Sequence, residues 1–241
     1  MKCIPHHIDP IGNAVHDYFE TAKSCDILVE SDIAEISTIP SSYFFRKQEE
    51  MPKLELSALA LCRGKTLDVG AAAGCHAIFL QENGIDVSAL EISELCCNIM
   101  EKRGISQVIQ SDYFEYSGVA YDTLLFLMNG IGLAGTLEEL PKFLRKAGEL
   151  LKPGGQMLFD SSDIDYMYYE DDGSKLINLN SRYYGEIMYR MVYKNIEGEP
   201  FPWLFIDFQT LSTLAIKCGF EARLIEKGNQ HDYLACLRKI V

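Results

Sequence analysis

Two carboxylates and a turn of small residues lie close together in this sequence, at a spacing that could form a ligand-binding site. Asp68 lies in the short apolar segment Thr66–Val69, and Glu91 ends the next apolar segment. A carboxylate at the place of Glu91 can accept both hydroxyls of a ribose. After Asp68 the chain turns through small residues only: Gly70, Ala71, Ala72, Ala73 and Gly74. Such a turn lets a ligand lie against the backbone, whose exposed N–H groups favour electron-rich ligand atoms.

A nicotinamide-dinucleotide site is the first alternative, and the turn disfavours it. That fingerprint is Gly-x-Gly-x-x-Gly, in which the third glycine packs the helix against the strand. This chain has Ala72 in place of the second glycine and Cys75 in place of the third. Asp68 beside the turn would also repel a pyrophosphate, whereas it would attract a cationic ligand tail.

The pattern that runs from Asp68 to Gly74, Asp-x-Gly-x-Ala-x-Gly, resembles the nucleotide-binding motif of the class I S-adenosylmethionine-dependent methyltransferases. The usual motif of that family has glycine at the position of Ala72, a difference of one methyl group. The resemblance covers the strand and helix order from about Lys65 onward and little of the first sixty residues. It implies S-adenosylmethionine as the cofactor and S-adenosylhomocysteine as its product. A non-catalytic module that binds the same cofactor stays open as a second alternative.

The resemblance also implies roles for residues at the strand ends. Asp68 would lie near the methionine part of the cofactor, although capping the turn explains it as well. Asp112 and Tyr113 would contact the adenine, and Asn129 would lie beside the transferred methyl group. An ordinary turn accounts for Asp112 equally well, and Asn129-Gly130 is itself a common turn pair. The predicted cofactor-binding residues are Asp68, Gly70, Ala71, Ala72, Gly74, Glu91, Ile92, Asp112, Tyr113, Met128 and Asn129.

The sequence identifies no catalytic residue. Displacement at a sulfonium methyl leaves a neutral thioether, so such an enzyme mainly aligns and desolvates the nucleophile. A general base is needed only when the acceptor is protonated at the working pH. Asp160, Asp163 and His231 are the candidates at the mouth of the site. His76, beside the cofactor turn, is interpreted as a packing or surface residue.

Composition limits the partners. The 241 residues carry a formal net charge of −13, which disfavours nucleic acid because binding a phosphate backbone relies on basic contacts. The expected acceptor is therefore a small molecule. No segment is long and apolar enough to cross a membrane. The eight cysteines form no C-x-x-C pair, which argues against a zinc site or another metal and favours reduced thiols in a cytoplasmic protein. The oligomeric state is not predicted.

Strands and helices alternate from Lys65 onward, which predicts a mostly parallel sheet with helices on both faces. Segments 222–226 and 233–238 are joined by a short loop and should pair antiparallel. The expected fold is therefore α/β, a Rossmann-like sheet of seven strands whose last strand is antiparallel. We expect a single domain with four parts: an N-terminal helical cap (1–63), a cofactor-binding core (64–160), an insertion near the acceptor pocket (161–206), and a C-terminal helix and hairpin (207–241).

The insertion interrupts the strand–helix alternation. Alternate residues share one apolar face of a predicted strand there: Tyr183, Ile187, Tyr189, Met191 and Tyr193. That face must be buried, because otherwise it would be an exposed apolar patch. Two interpretations stay open: the insertion covers the acceptor pocket, or it extends the sheet or packs on another subunit.

Overall fold

Strands and helices alternate along the chain, for which a computed structural model describes residues 4–169, 172, 174 and 182–240. The helices are α1 (Pro10–Thr21), α2 (Lys53–Leu61), α3 (Cys75–Glu82), α4 (Glu94–Lys102), α5 (Leu140–Leu150) and α6 (Phe208–Lys217). The strands are β1 (Asp26–Ser31), β2 (Ser37–Pro40), β3 (Thr66–Val69), β4 (Val87–Glu91), β5 (Val108–Gln110), β6 (Tyr121–Phe126), β7 (Leu151–Ser162), β8 (Glu186–Tyr193), β9 (Ile196–Glu197), β10 (Phe201–Leu204), β11 (Phe220–Lys227) and β12 (Asp232–Lys239). No helix within the described ranges has the length and apolar character needed to cross a bilayer.

Seven strands form the central sheet, in the order β11–β12–β7–β6–β3–β4–β5. β12 pairs antiparallel with both of its neighbours, while the strands from β7 to β5 pair parallel. This confirms the predicted α/β sheet of seven strands with a reversed last strand. The strand order changes direction between β3 and β6. Sheets of this kind bind ligands at that point, beyond the carboxyl ends of the strands.

Apolar side chains cover both faces of the central sheet. Leu124 and Phe126 of β6 point to the face that α5 and α6 cover, where Phe126 packs against Phe143 with ring centroids 5.1 Å apart. Leu125, between them, points to the opposite face and packs in a cluster with Leu80 of α3. β6 is nearly continuous in apolar residues because both of its faces are buried.

Proline and glycine set the boundaries of α5 and β7. The sequence allows two starts for α5, one at a capping box that begins with Thr136 and one at Pro141. The helix begins at Leu140 and has Pro141 in its first turn, where a missing N–H costs nothing. The turn predicted at 152–155 lies within β7 as an irregularity, because four residues of β7 have no partner on β6 around Gly154. Gly154 has a φ of +71°, which favours glycine.

A second, antiparallel sheet joins two distant parts of the chain, in the order β10–β8–β1–β2 with β9 on β8. β1 and β2 come from the N-terminal segment expected to be a helical cap, so that segment contains strands as well as α1 and α2. β8, β9 and β10 come from the insertion. Residues 170, 171, 173 and 175–181 of the insertion lie outside the described residues.

One face of the second sheet is apolar and the other is charged. Val29 of β1 lies opposite Met191 of β8, so their side chains share a face. Met191 belongs to the alternating apolar residues predicted to share one face of a strand. On the other face, Arg190 forms ion pairs with Glu30 and Glu197. The apolar face is turned toward the central sheet, where both Val29 and Met191 line a cavity.

The junction between β8 and the segment after β10 should tolerate no side chain at Gly185. The Gly185 carbonyl accepts a hydrogen bond from the Phe205 N–H at 2.7 Å, and a Cβ on Gly185 would lie 1.9 Å from the Phe205 oxygen. We expect Gly185→Ala to lower the free energy of unfolding by about 1–3 kcal/mol, measured by urea denaturation.

The matched control for this substitution is Gly148→Ala in α5. A Cβ there would meet only Phe220, at an ordinary distance of 3.8 Å. Helix propensity should make this control neutral or stabilising by up to about 1 kcal/mol. Equal stability of the two variants would contradict the described junction.

Candidate active site

A cavity of about 760 Å³ separates the carboxyl edge of the central sheet from the apolar face of the second sheet. This volume falls in the range of small-molecule sites. Three parts of the chain line it. The strand ends contribute 68–72, 75–76, 91–93 and 127–130, the N-terminal segment contributes 4–5 and 8–11, and the second sheet contributes Val29, Ser37, Ile39, Tyr189, Met191, Phe201 and Trp203.

The backbone N–H groups of the turn after β3 donate to acceptors within the protein. The N–H groups of Gly70 and Ala71 donate to the Leu90 carbonyl at 2.9 and 3.2 Å, and that of Gly74 donates to Ala71 at 2.7 Å. The Ala72 N–H donates to Glu91 Oε2 at 2.8 Å. The expectation that these N–H groups face the ligand is therefore wrong for these four residues. What Gly70, Ala71 and Ala72 offer a ligand in the cavity is small size.

Three positions of the turn have different reasons for being small. A Cβ on Gly70 would meet no protein atom within 4 Å, so it would occupy open space at the cavity wall. A Cβ on Gly74 would lie 2.2 Å from Ile105 Cδ1, so Gly74 serves the packing of α3 and does not line the cavity. Ala72 has a φ of +48°, a left-handed backbone that glycine adopts more easily. This strain explains why glycine is usual at the position of Ala72.

Glu91 lines the cavity with a carboxylate that is already partly engaged. Its Oε1 accepts the N–H groups of Ile92 and Ser93 at 2.8 and 3.0 Å, and its Oε2 accepts that of Ala72. A carboxylate offers about four acceptor positions, so Oε2 keeps one for a ligand hydroxyl. Burial raises the pKa of Glu91, and the three N–H groups oppose that rise.

Asp9 ties the N-terminal helix to this carboxylate. Its Oδ1 accepts the Gly12 N–H at 2.8 Å and caps α1, while its Oδ2 accepts the Ser93 hydroxyl at 2.5 Å. Asp9 is 3% exposed and also lines the cavity. The sequence carries a signal for the cap, because Asp9 precedes Pro10 at the start of a helix. It carries none for the contact with Ser93.

The loop after β6 is strained at two consecutive residues that line the cavity. Met128 and Asn129 have φ values of +61° and +56°. The Asn129 N–H donates to Asp160 Oδ2 at 2.9 Å, and its side-chain Nδ2 donates to the Leu204 carbonyl at 3.2 Å. Asn129 Oδ1 and Asp160 Oδ1 are buried and accept no hydrogen bond from the described residues. Strain of this kind clusters at functional sites.

A buried ion cluster borders the cavity, and no pattern in the sequence predicts it. Arg46 Nη2 donates to both oxygens of Glu55 at 2.7 and 2.6 Å, and His76 Nε2 lies 2.9 Å from Glu55 Oε2. Burial opposes a charge on His76, but Cys75, Glu55 and Asp68 outweigh it and raise the pKa of His76 to about 10. His76 is thus a buried cation at the cavity wall, neither a surface residue nor an apolar packing residue.

Asp68 places a second carboxyl group at the same wall. Burial raises its pKa, and the charge of His76 and a backbone N–H of Ala77 oppose the rise. Asp68 Oδ2 is buried and accepts no hydrogen bond from the described residues. The backbone partner of Asp68, Ala77, belongs to α3 and not to the turn that Asp68 was predicted to cap.

Six of the site residues predicted from the sequence do not line the cavity: Gly74, Asp112, Tyr113, Asp160, Asp163 and His231. Asp112 Oδ1 accepts the Phe114 N–H at 2.7 Å, and the Tyr113 hydroxyl donates to the Phe143 carbonyl in the core. Asp163 accepts the hydroxyl of Tyr184, and the His231 ring stacks on Tyr166 with centroids 4.4 Å apart. The adenine contacts of Asp112 and Tyr113 stay predictions.

Comparison with known proteins identifies the family. No protein-family model and no curated protein sequence matches this chain. A solved structure from Bacteroides fragilis is 44% identical, with a TM-score of 0.93 over 100% of this chain and 98% of that chain. It is a S-adenosylmethionine-dependent methyltransferase in complex with S-adenosylhomocysteine. The chain therefore belongs to the S-adenosylmethionine-dependent methyltransferases.

This membership confirms the predicted enzyme class and cofactor of the methyltransferase, and it excludes the nicotinamide-dinucleotide alternative. Two more distant structures share the fold alone. The CcbJ methyltransferase from Streptomyces caelestis is 16% identical with a TM-score of 0.57, over 80% of this chain and 94% of that chain. The sugar N-methyltransferase KedS8 from a Streptoalloteichus species is 15% identical with a TM-score of 0.60, over 88% and 97%.

The Asp160 carboxyl should make the stability of the methyltransferase depend on pH. Burial raises its pKa from 3.8 to about 6. Because the folded state holds this proton more tightly than the unfolded state, the contribution of Asp160 to stability is full below about pH 4 and is lost as the pH rises through 6. From about pH 4.5 to 7, the free energy of unfolding should fall by about 2 kcal/mol relative to Asp160→Asn. Parallel pH dependences of the two proteins, measured by urea denaturation, would contradict the raised pKa.

Proposed function

We propose that this methyltransferase methylates a small-molecule acceptor in the cavity between the turn after β3 and the second sheet. The observation that supports this most is that one cavity joins most of the predicted cofactor residues to an apolar wall. The cofactor residues that line it are Asp68, Gly70, Ala71, Ala72, Glu91, Ile92, Met128 and Asn129. The wall opposite belongs to the second sheet, so the cofactor side and the acceptor side face each other.

The orphaned acceptor atoms of the cavity fit the cofactor. S-adenosylmethionine supplies, when bound, a methyl group on a positively charged sulfur, and it carries an ammonium group and a ribose. Asp68 Oδ2 and Asn129 Oδ1 are buried acceptors with no partner among the described residues, as an ammonium donor requires. The remaining acceptor position on Glu91 Oε2 fits a ribose hydroxyl. The carboxyl groups of Asp68 and Glu91 on this side of the cavity suit a cation.

The residues of this chain do their work by alignment and by exclusion of water. Hydrogen bonds from Asn129 to Asp160 and to Leu204 fix the loop at the end of β6. Apolar side chains of the second sheet, such as Val29 and Met191, close the opposite wall. A dry, preformed cavity strengthens the interactions inside it and removes the need to reorganise water around the nucleophile.

Replacing Glu91 should weaken binding of the cofactor product. Glu91→Ala removes the acceptor for a ribose hydroxyl, which should reduce the affinity for S-adenosylhomocysteine by about 1–3 kcal/mol in calorimetry. The variant also leaves three N–H groups without their acceptor, so thermal unfolding must first show that it is folded. Glu91→Gln keeps an acceptor oxygen and should lose less affinity. Unchanged affinity in a folded Glu91→Ala protein would contradict the assignment.

A second carboxylate tests the predicted adenine contact. Because Asp112 does not line the cavity, Asp112→Ala should change the affinity for S-adenosylhomocysteine by less than about twofold. A loss comparable with that of Glu91→Ala would support the adenine contact, and no loss would remove Asp112 from the site.

The class of acceptor can be tested with methyl-labelled cofactor and a cell extract. The charge of −13 argues against nucleic acid, so the label should appear in the fraction that passes a small-pore filter. Label retained with RNA, DNA or protein would contradict a small-molecule acceptor. Label in no fraction would favour a module that binds the cofactor without transferring the methyl group. Gel-shift titrations at low salt check directly for nucleic-acid binding.

A further inference from the structure

Four aromatic side chains form one side of the cavity. Tyr189, Phe201, Trp203 and Phe205, which we call the aromatic wall, all line it and are all only partly buried. Phe201 and Trp203 meet edge to face, with centroids 5.9 Å apart and an interplanar angle of 81°. Tyr189 meets Phe205 in the same way at 6.4 Å and 77°. The rings hold one another in place and leave surface facing the cavity.

Trp203, the single tryptophan of the chain, depends on a glycine opposite. A Cβ on Gly132 would lie 2.2 Å from both Cε2 and Nε1 of the indole. The backbone of Gly132 is not left-handed, so its conformation does not demand glycine. What demands it is the indole, whose Cδ1, Nε1 and Cε2 atoms lie beside Gly132 in the loop after β6. Gly132 thereby sets the position of the largest ring in the wall.

The charges of the cavity lining disfavour an anionic acceptor. Among the described residues no lysine or arginine lines the cavity, and its cation His76 is hydrogen-bonded to Glu55 on the far side. An anionic acceptor would therefore lie unpaired against the aromatic wall. A cationic acceptor could pair with Glu199, which precedes Phe201 of the aromatic wall in the chain and lines the cavity. Glu199 is exposed at the rim, however, and so is not a buried partner. A buried charge without a partner is costly.

The polar groups on this side are also few. Within the described part of the second sheet, the polar side chains of the lining are those of Ser37, Tyr189 and Trp203, and the indole Nε1 of Trp203 lies beside Gly132. A molecule with many hydroxyls, such as an amino sugar, would leave most of them without hydrogen bonds. An apolar ring system would lose nothing there, and flat rings pack well on aromatic edges and faces.

We propose that the methyl acceptor is a neutral, planar aromatic molecule whose ring packs on the aromatic wall. Trp203 is then a specificity-determining residue, and Gly132 acts through it as a positioning residue. This inference rests on the proposed function, because it names the class of acceptor for the same cavity. The wall supplies affinity for the body of the acceptor and leaves the methyl transfer to the alignment described above.

Calorimetry with unreactive probes tests the inference on the full chain saturated with S-adenosylhomocysteine. 2-Naphthol is the neutral planar probe, and its saturated analogue 2-decalol has the same skeleton without planarity. We expect 2-naphthol to bind at least about fivefold more tightly than 2-decalol. It should bind at least about tenfold more tightly than the anion 2-naphthoate, and glucosamine should bind more weakly still. Equal or tighter binding of any of the three would overturn the inference.

Two alanine variants place the probe in the cavity. Gly132→Ala should displace the indole of Trp203 and weaken 2-naphthol binding at least about tenfold, while the affinity for S-adenosylhomocysteine stays within about twofold. Gly148→Ala makes the same change far from the cavity and should leave both affinities unchanged. Trp203→Leu, which keeps an apolar residue, is a second variant should Gly132→Ala fold poorly, and it should also weaken 2-naphthol binding. Unweakened 2-naphthol binding in the folded variants would overturn the inference.

The labelled-extract experiment and these titrations test the proposed function and the aromatic acceptor separately. Label in the small-molecule fraction together with poor 2-naphthol binding would overturn the aromatic acceptor and leave the proposed function standing. Label only in macromolecules, together with tight 2-naphthol binding in the wild-type chain and weakened binding in Gly132→Ala, would overturn the proposed function. It would also overturn the aromatic molecule as methyl acceptor.

Discussion

The buried carboxylate of Glu91 holds three parts of the site in one arrangement. It accepts N–H groups from Ala72 in the turn after β3 and from Ile92 and Ser93 at the end of β4. Ser93 then donates to Asp9, which caps the N-terminal helix. Because a buried donor without a partner costs free energy, these bonds fix the turn, the strand end and the helix together. The shape of the cavity follows from that arrangement.

Backbone strain on both sides of the switch point depends on this support. Ala72 on one side, and Met128 and Asn129 on the other, have left-handed φ values that residues other than glycine rarely adopt. The Glu91 carboxylate accepts the N–H of Ala72, and the Asp160 carboxylate accepts the N–H of Asn129. A carboxylate therefore stabilises the strained backbone at each strand end. The small turn and the loop after β6 can then both line one cavity.

Local sequence signals predict the central sheet but not the second sheet. The segment from β3 to α3 is recognisable because Thr66–Val69 is apolar and the next residues are small, and both features lie within a few positions. The second sheet pairs Val29 with Met191, which lie far apart in the chain. Its register depends on burial against the central sheet, and the sequence shows only a partial alternation in the N-terminal segment. The partial alternation at 27–36 indicates an extended segment but not its partner, so the expected helical cap did not include a sheet shared with the insertion.

The candidate site was predicted in the same uneven way. The strand ends at Asp68, Glu91 and Asn129 were found because the carboxyl ends of parallel strands meet at one edge. The pairing of Arg46 and His76 with Glu55 was not, since three separate segments bring these residues together. The sequence also does not show which N–H groups of the turn form hydrogen bonds within the protein, because those bonds depend on the folded backbone.

A crystal structure of the chain with S-adenosylhomocysteine tests the central claim most directly. We predict a ribose hydroxyl within about 3 Å of Glu91 Oε2 and the thioether sulfur facing the second sheet. We also predict the amino group near Asp68 Oδ2 and Asn129 Oδ1, which accept no hydrogen bond from the described residues. A nucleoside bound elsewhere, or one that leaves Glu91 without contact, would contradict the account.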